Sequence, residues 1–389
     1  MTGSRERPAR STWLERPLGS LARFINGEPF KPSDWSDEGL PIVRIENLND
    51  PAAPFHYYRD APGDKVLIEQ GELLLAWSAS LGVHWWRRGP ALLNQHIFKV
   101  VPIENMVSRE YLYYALSWAL RGLISLTHGG TMHHIQKPAL ESYQVPCPPL
   151  IQQQRIVAKL DEQMAALDHA EHALVEQQAA ASAFTTVALQ QVFSGSESGR
   201  WPQVRLGEVA ASDLTQVPPD DEFAKDLPYI GMEDIESQTG RIIAQSAHSD
   251  IRSNTFAFDE RHVLYGKLRP YLNKVALPES RGRCSTELIP LRPEERLDRR
   301  YLAWFLRRPE TVSAAMQEKT GSRMPRASMK NIGQLHIPLP PLSHQRQVVA
   351  SLERISAELA SLQQHFADQR TDLAVLRSSL LNAAFSGEV

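Results

Sequence analysis

The chain has 389 residues, 42% of them apolar and 22% charged, with two cysteines and a formal net charge of −3. That length exceeds a single ordinary core, and that composition is the one of globular domains rather than of disordered or fibrous chains. Cys147 and Cys284 exclude a disulfide framework and lack metal-ligand spacing, no run approaches a membrane span, and "MTGSRERPAR" leads into no apolar export segment, so a cytoplasmic protein with no membrane role is expected.

In chain order, residues 1–147 read as a mixed globular segment. "LPIVRIENL" and "GELLLAWSA" are short apolar runs bounded by turn residues and predict strands, and "REYLYYALSWALRGLI" carries helical apolar spacing. "HGGTMHHI" follows, then a Pro-Pro break at Pro148-Pro149. Residues 148–197 predict one long helix. Residues 198–339 repeat the first segment in the same order: "LPYIGMEDI" and "RHVLYGKL" as strands, "RRYLAWFLRRPETVSAAM" as helix, then "TGSRMPRA" before a second break at Pro340-Pro341. Residues 340–389 predict a second long helix.

The repetition is a duplication. "PCPPLIQQQRIVAKL" from Pro146 returns as "PLPPLSHQRQVVASL" from Pro338, an offset of 192 that still holds, without a gap, where Phe193-Ser194-Gly195 meets Phe385-Ser386-Gly387. Gln153, Val157, Leu160, Leu167, Gln177 and Leu189 recur identically at that offset. A loop would have drifted, whereas a rigid element keeps its length. In the second copy Val348, Leu352, Ile355, Leu359, Leu362, Phe366, Gln369, Leu373, Leu376 and Leu380 alternate spacings of four and three, the coiled-coil signal. The same frame in the first copy, through Ile156, Leu160, Gln163, Leu167, Ala170, Leu174, Gln177, Ala181, Phe184 and Ala188, is narrower and Ala-rich. Proline before the first turn and glycine after the last match helix boundaries. At about 1.5 Å per residue each helix is a rod of about 60 Å, too long to stand with one apolar stripe unpartnered. The simplest partner for each is the other, antiparallel, with Gln177 and Gln369 as buried polar residues fixing register. The alternative docks each helix on its own globular segment. The fold class expected is α+β: two mixed α/β segments and two long helices in an antiparallel coiled coil, related by a pseudo-twofold repeat.

Charge is distributed unevenly. Residues 198–260 carry a net −7 and residues 261–330 a net +9, while residues 1–84 carry −3 and residues 85–137 carry +4. Clustered cations mixed with aromatics are the footprint of a nucleic-acid surface, or of a solvated charged face. In the first half, "WSASLGVHWWRRG" offers Trp77, Ser78, Ser80, Arg87 and Arg88, and Asn94, Gln95 and His96 have side chains able to hydrogen-bond a base edge. Thr131, His133 and Lys137 follow. In the second half, "YGKLRPYLNK" offers Lys267, Arg269 and Lys274, "RGRCSTE" offers Arg283, and "KTGSRMPRASMK" offers Ser322, Arg323, Arg326 and Lys330. The two sets are not copies. Lys267 falls opposite Trp77, and the stretch containing "SRMPR" lies opposite the one containing "TMHHI". Two unlike readers imply an asymmetric, two-part DNA site.

No phosphate loop, dinucleotide fingerprint, zinc-protease helix or serine-nucleophile elbow is present, and the His128, His133 and His134 group reads as a polar loop rather than a metal site. A DNA-reading adaptor is therefore expected. The alternatives are a coiled-coil scaffold for an acidic partner and an enzyme with its own nuclease or methyltransferase site, the methyltransferase being disfavoured by the missing [DN]-P-P-[FYW] motif.

The doubled "PPL…Q…V-A-x-L" starts at Pro148–Leu160 and Pro340–Leu352, the "FSG" ends, and the "VLYGKLRPYLNKVAL…STE" and "GELLLAWSASLG" runs together resemble the specificity subunit of Type I restriction–modification enzymes, over residues 13–389. The resemblance implies two target recognition domains, each reading half of a bipartite site in double-stranded DNA, and paired helices that space them. It also implies partners: DNA adenine methyltransferase (modification) subunits, two of them, and restriction/translocase subunits. S-adenosylmethionine, ATP and magnesium would serve those partners, with no cofactor, no metal and no catalytic residue in this chain.

Overall fold

The computed structural model describes residues 13–63, 65–126, 134–194, 198–222, 226–244, 251–316 and 325–387. Two compact units emerge: Met1–Leu174 with Asp368–Val389, and Val175–Ala367.

In the first unit a four-stranded antiparallel sheet runs in the order Ala22–Asn26, Ile97–Pro102, Leu73–Ala76, Gly82–Trp85. Leu73–Ala76 is interior, flanked on both edges, and every one of its residues is buried, as an uninterrupted "LLLA" run demands. A second sheet orders His56–Tyr58, Leu40–Val43, Ala91–Leu93 and Leu67–Ile68, with the middle pair parallel. The helix Arg109–Leu126 covers the first sheet, and Tyr111, Leu112, Ala115 and Leu116 enter the core with Phe24, Leu73 and Leu75.

The second unit repeats the first sheet strand for strand: Ala210–Ser212, Leu288–Pro293, Val263–Gly266, Val275–Ala276. Its other sheet departs. The trio Tyr229–Ile230, Gly282–Ser285 and Thr255–Phe258 matches Leu40–Val43, Ala91–Leu93 and Leu67–Ile68 in order and direction. The fourth strand, however, joins opposite edges: His56–Tyr58 pairs with Leu40–Val43, whereas Gln216–Val217 pairs with Thr255–Phe258.

The two long helices are Leu150–Ser194 and Leu342–Ser386, and the second closes on Gly387 in the left-handed region, as a C′ glycine does. Gly195 lies outside the described residues. In the first unit Ile156, Leu160, Met164 and Leu167 from the start of the central helix share a core with Leu381, Ala384 and Phe385 from the end of the C-terminal helix. Arg377 reinforces that pairing, 2.5 Å from Asp168 and 3.3 Å from Glu171. In the second unit Leu189 and Phe193 from the end of one share a core with Val349 and Leu352 from the start of the other. Start meets end in both, so the pairing is antiparallel within each unit, and the same helix ends also dock on the adjoining sheets and helices.

Each start is fixed by its conserved-in-repeat glutamine. Gln153 is fully buried; its Oε1 accepts from the Ser108 amide at 2.8 Å and its Nε2 donates to the carbonyls of Met106 at 3.0 Å and Pro148 at 2.8 Å. Gln345 makes the corresponding three bonds, to the Asp298 amide and the carbonyls of Arg296 and Pro340, at 2.8, 2.9 and 2.8 Å. A buried amide is tolerated only when its polar atoms are paired, and these are. Tyr111 and Tyr301 add a matching tie, each hydroxyl donating to the carbonyl of a proline just before the helix, Pro146 or Pro338.

The expected seam is half right. One heptad position faces inward: Leu160, Leu167, Leu174, Leu352 and Phe366 are buried, and Leu359 and Leu373 are partly so. The other drifts outward. Ile355 is half-buried, while Leu362 and Leu376 are exposed, at 38% and 47%. Gln177 and Gln369 are exposed too, which overturns their reading as buried register-fixing residues. A straight α-helix turns by about 20° per heptad against a strict seven-residue repeat, so one stripe of a pair keeps its contact and the second leaves it.

Candidate nucleic-acid interface

In the first unit the hairpin Leu73–Trp85 turns at Trp77–Leu81, and its tip meets the Asn94–His96 turn and the chain at His134. The Trp77 amide donates to the His96 carbonyl at 3.2 Å, the Ile135 amide donates to the Trp77 carbonyl at 3.1 Å, and Ser78 bridges His134. Three separate segments thus converge on one half-buried indole. Trp77 stacks on Phe98 at 5.6 Å and meets the His134 ring edge-on at 4.5 Å, with the His96 ring 5.7 Å away. Its Nε1 donates to Asn26 Oδ1 at 3.2 Å.

The second unit builds the same frame. The Lys267 amide donates to the Glu287 carbonyl at 2.9 Å, the Ala327 amide donates to the Lys267 carbonyl at 2.7 Å, and Leu268 bridges Arg326. Two residues beyond the shared amide, Ala79 and Arg269 both adopt left-handed φ values, 59° and 51°, though neither is glycine. A non-glycine residue held there marks a turn imposed by its surroundings. Trp77 therefore corresponds to Lys267, His96 to Glu287 and His134 to Arg326. Here the side chains carry charge. Arg326 grips Glu287 bidentately, Nη2 to Oε1 at 3.0 Å and Nε to both oxygens at 3.2 Å, and this pairing raises the Arg326 guanidinium further above its ordinary pKa.

Most expected first-unit residues gather at this tip. Trp77, Ser78, Ser80, Asn94, Gln95 and His96 lie on it, with Lys137 close by, its Nζ 6.0 Å from the Phe98 ring and 3.7 Å from Glu141. Several are already engaged: Ser78 is buried, Asn94 Oδ1 accepts from the His96 amide at 3.4 Å, and Ser80 Oγ accepts from Asn49 at 3.0 Å. Arg87 and Arg88 are not there. They follow Trp85 at the opposite end of the hairpin, where Arg88 donates to the Pro51 carbonyl at 2.6 Å and covers the Phe55 ring, and Arg87 faces Tyr113, Asp161 and Asp168. A four-residue hairpin arm carries them away from Trp77.

In the second unit Lys267, Arg269 and Arg326 come together, and Lys330 is exposed on the short helix Met329–Gln334 that follows. Arg283 does not join them. It sits in the strand Gly282–Ser285, between Tyr229–Ile230 and Thr255–Phe258, and is only 2% exposed, so it is a core residue and not a DNA contact. Lys274 is turned inward, its Nζ donating to the Met232 carbonyl at 2.7 Å. The strongly basic stretch is also partly spent on the fold: Arg299 and Arg307 donate to backbone carbonyls, and Arg308 packs over Phe305 with its guanidinium 3.8 Å from the ring centroid. Thr131, His133, Ser322 and Arg323, like His128, lie outside the described residues.

Glu287, Asn26 and Asn49 are not among the residues expected from the sequence, because clustered cations and aromatics mark a nucleic-acid surface and these three are neither. The signal existed for Glu287: the repeat offset, adjusted by one residue, places it opposite His96. Among the described residues no group of histidine, cysteine and carboxylate side chains is arranged to hold a metal ion. Burial raises the thiol pKa of both Cys147 and Cys284, and neither is in a disulfide. Among the described residues no helix is long and apolar enough to cross a membrane.

Comparison with known proteins agrees with this architecture. The chain is 21% identical over 420 residues to the Type I restriction enzyme EcoBI specificity subunit of Escherichia coli, covering 97% of this chain and 86% of that one. It is 23% identical over 355 residues to the EcoDI specificity subunit of the same organism, covering 83% and 79%. Among solved structures, a chain from a study of complex assembly in the type I R-M system matches with a TM-score of 0.74 at 20% identity, covering 98% and 100%. The HsdS subunit of Thermoanaerobacter tengcongensis matches at 0.54 and 21% identity, covering 100% and 99%. The sequence signature of the Type I restriction modification DNA specificity domain fits twice, at residues 10–177 and 199–365. A duplicated frame whose tips differ is what such a signature, occurring twice in one chain, describes, and the chain belongs to the Type I restriction modification DNA specificity family.

Proposed function

We propose that this chain is the DNA-reading subunit of a Type I restriction–modification complex, each unit reading one half of an asymmetric two-part site. The observation that carries this reading is the pair of tips built on one backbone frame with unlike side chains, in a chain that belongs to a DNA specificity family. An unchanged frame positions the reader, while different side chains address different base edges.

The chain is non-catalytic in this reading. S-adenosylmethionine, ATP and magnesium belong to partner subunits: two DNA adenine methyltransferase subunits, and restriction/translocase subunits. Exposed apolar side chains on the long helices support such assembly: Val375 and Leu376 in the first unit, at 58% and 47% exposure, and Val175, Phe184 and Val187 in the second, at 58%, 54% and 54%. Apolar groups of that size on a helix face suit burial against another protein. The complex works in the cytoplasm.

Sequencing methylated adenines in cells with and without this protein tests the proposal. The expected result is a two-part motif that disappears with the protein. A continuous palindrome, or no change, overturns it.

A further inference from the structure

We propose that the Lys267–Glu287–Arg326 cluster reads a G·C base pair in one half-site, and that Trp77, His96 and His134 occupy the same three stations in the other unit without that preference. This rests on the DNA-reading function proposed above and assigns residues and base chemistry to it.

The argument begins with which atoms are left over. Arg326 has five N–H donors and directs two of its nitrogens, Nε and Nη2, at Glu287. Three donors remain. The Glu287 carboxylate has about four lone-pair directions and keeps acceptor capacity beside the arginine fork. The cluster is accessible: the Glu287 side chain is 24% exposed and that of Arg326 48%. The Lys267 ammonium has no partner among the described residues and springs from the station whose amide and carbonyl tie the other two segments together. Glu287 alone would repel DNA. Gripped by Arg326 and near Lys267, its charge is balanced, so it can approach a base edge while the cations face acceptors and phosphates.

The surface therefore presents donors next to one acceptor. Across the major groove a G·C pair offers N7 and O6 of guanine as adjacent acceptors, then N4–H of cytosine as donor. Arginine or lysine on the guanine and glutamate on the cytosine leave all three edges paired. An A·T pair in the same orientation puts the adenine N6 donor where guanine has O6 and the thymine O4 acceptor where cytosine has its N4 donor. The reversed pair sets the thymine methyl where guanine has N7, so the match fails both ways. In the first unit Trp77, His96 and His134 place rings and no carboxylate at these stations, so contact there is by ring faces and edges.

The test selects bound duplexes from a randomised library, using the full chain in the assembly purified from cells that express it. Wild type should enrich a two-part motif. Its absence would count against the DNA-reading function itself and leave nothing to assign. Given that motif, Glu287→Gln should lower the preference for one G·C pair by about ten-fold or more and shift it towards A·T, because glutamine pairs bidentately with adenine. The other half of the motif should persist, which also reports a folded chain. Trp77→Ala should alter that other half and spare the G·C position. If Glu287→Gln abolishes all binding, Lys267→Gln carries the same test at the same pair. Unchanged preferences in the Glu287 and Lys267 variants, or changes in the half that Trp77→Ala alters, would overturn the assignment.

Discussion

The two units share a first sheet, a helix on it, a glutamine at the base of the long helix and a three-segment tip, yet they differ at the fourth strand of the second sheet and at every side chain of the tip. The tip frame and the glutamine anchor are made by backbone groups, or by side chains whose partners are backbone groups. Apart from that strand, the divergent features are the side chains carried on the tip. Structure is thus conserved through bonds that do not depend on the identity of the reading residues, and recognition is free to vary above them.

The comparison breaks most visibly if the helix ends are not equivalent. Phe193 meets Tyr301 and Phe305 at 5.0 and 5.5 Å, and Phe385 meets Tyr111 and Trp118 at 5.3 and 5.4 Å. Phe193→Ala and Phe385→Ala should each cost about 3–5 kcal/mol, read as lost amide-exchange protection, the first in the second unit and the second in the first. A change confined to one variant would show that the symmetry is one of sequence only.

Next in size is the buried amide. Gln153→Leu and Gln345→Leu each strip partners from one backbone amide and two carbonyls, which should cost about 3 kcal/mol in the affected unit. Urea unfolding monitored unit by unit measures this, and similar losses are expected from both variants.

A smaller effect sharpens a difference. The turn before the central strand is held by Glu72 and Lys99, 2.7 Å apart, in the first unit. In the second, His262 lies there, Nδ1 2.8 Å from Asp259 and Nε2 3.2 Å from Asp213. The Arg261 contact, with His262 adding to it against opposing burial, holds the Asp259 carboxyl well below its ordinary pKa; the Thr215 hydroxyl, then His262, lowers that of Asp213. Depressed folded-state values make this contribution fully present above the ordinary carboxylate range, about pH 4, and lost as pH falls further through them. Acidification below about pH 4 should therefore loosen the second unit's turn, and Asp259→Asn should weaken that turn at neutral pH and remove most of this acid dependence. Amide exchange at residues 259–266 against pH follows it.

Much of the fold was legible because a gap-free repeat is informative at every residue it aligns. The helices and their boundaries came from it, and the alignment of Lys267 with Trp77 from the same repeat shifted by two residues. The second seam stripe did not, since a four-three pattern marks two positions per heptad and cannot say that a partner covers only Leu359 and Phe366 while Leu362 stays out. The interface was legible as places more than as roles. Arg283 looks like any surface arginine until the strand order puts it inside a sheet, and Arg87 and Arg88 sit close to Trp77 in sequence but across a hairpin from it. A carboxylate as a reading residue appears only when its arginine is seen beside it.

The left-handed turn at Ala79 and Arg269 carries one consequence further. Because the surrounding bonds force that conformation on a methyl and on a guanidinium alike, the strain is a fixed overhead of the scaffold and changes little with the occupant. Substitution at this corner can then alter what the protein touches with little effect on whether it folds, which makes the corner a place where new target preferences can arise in single mutational steps.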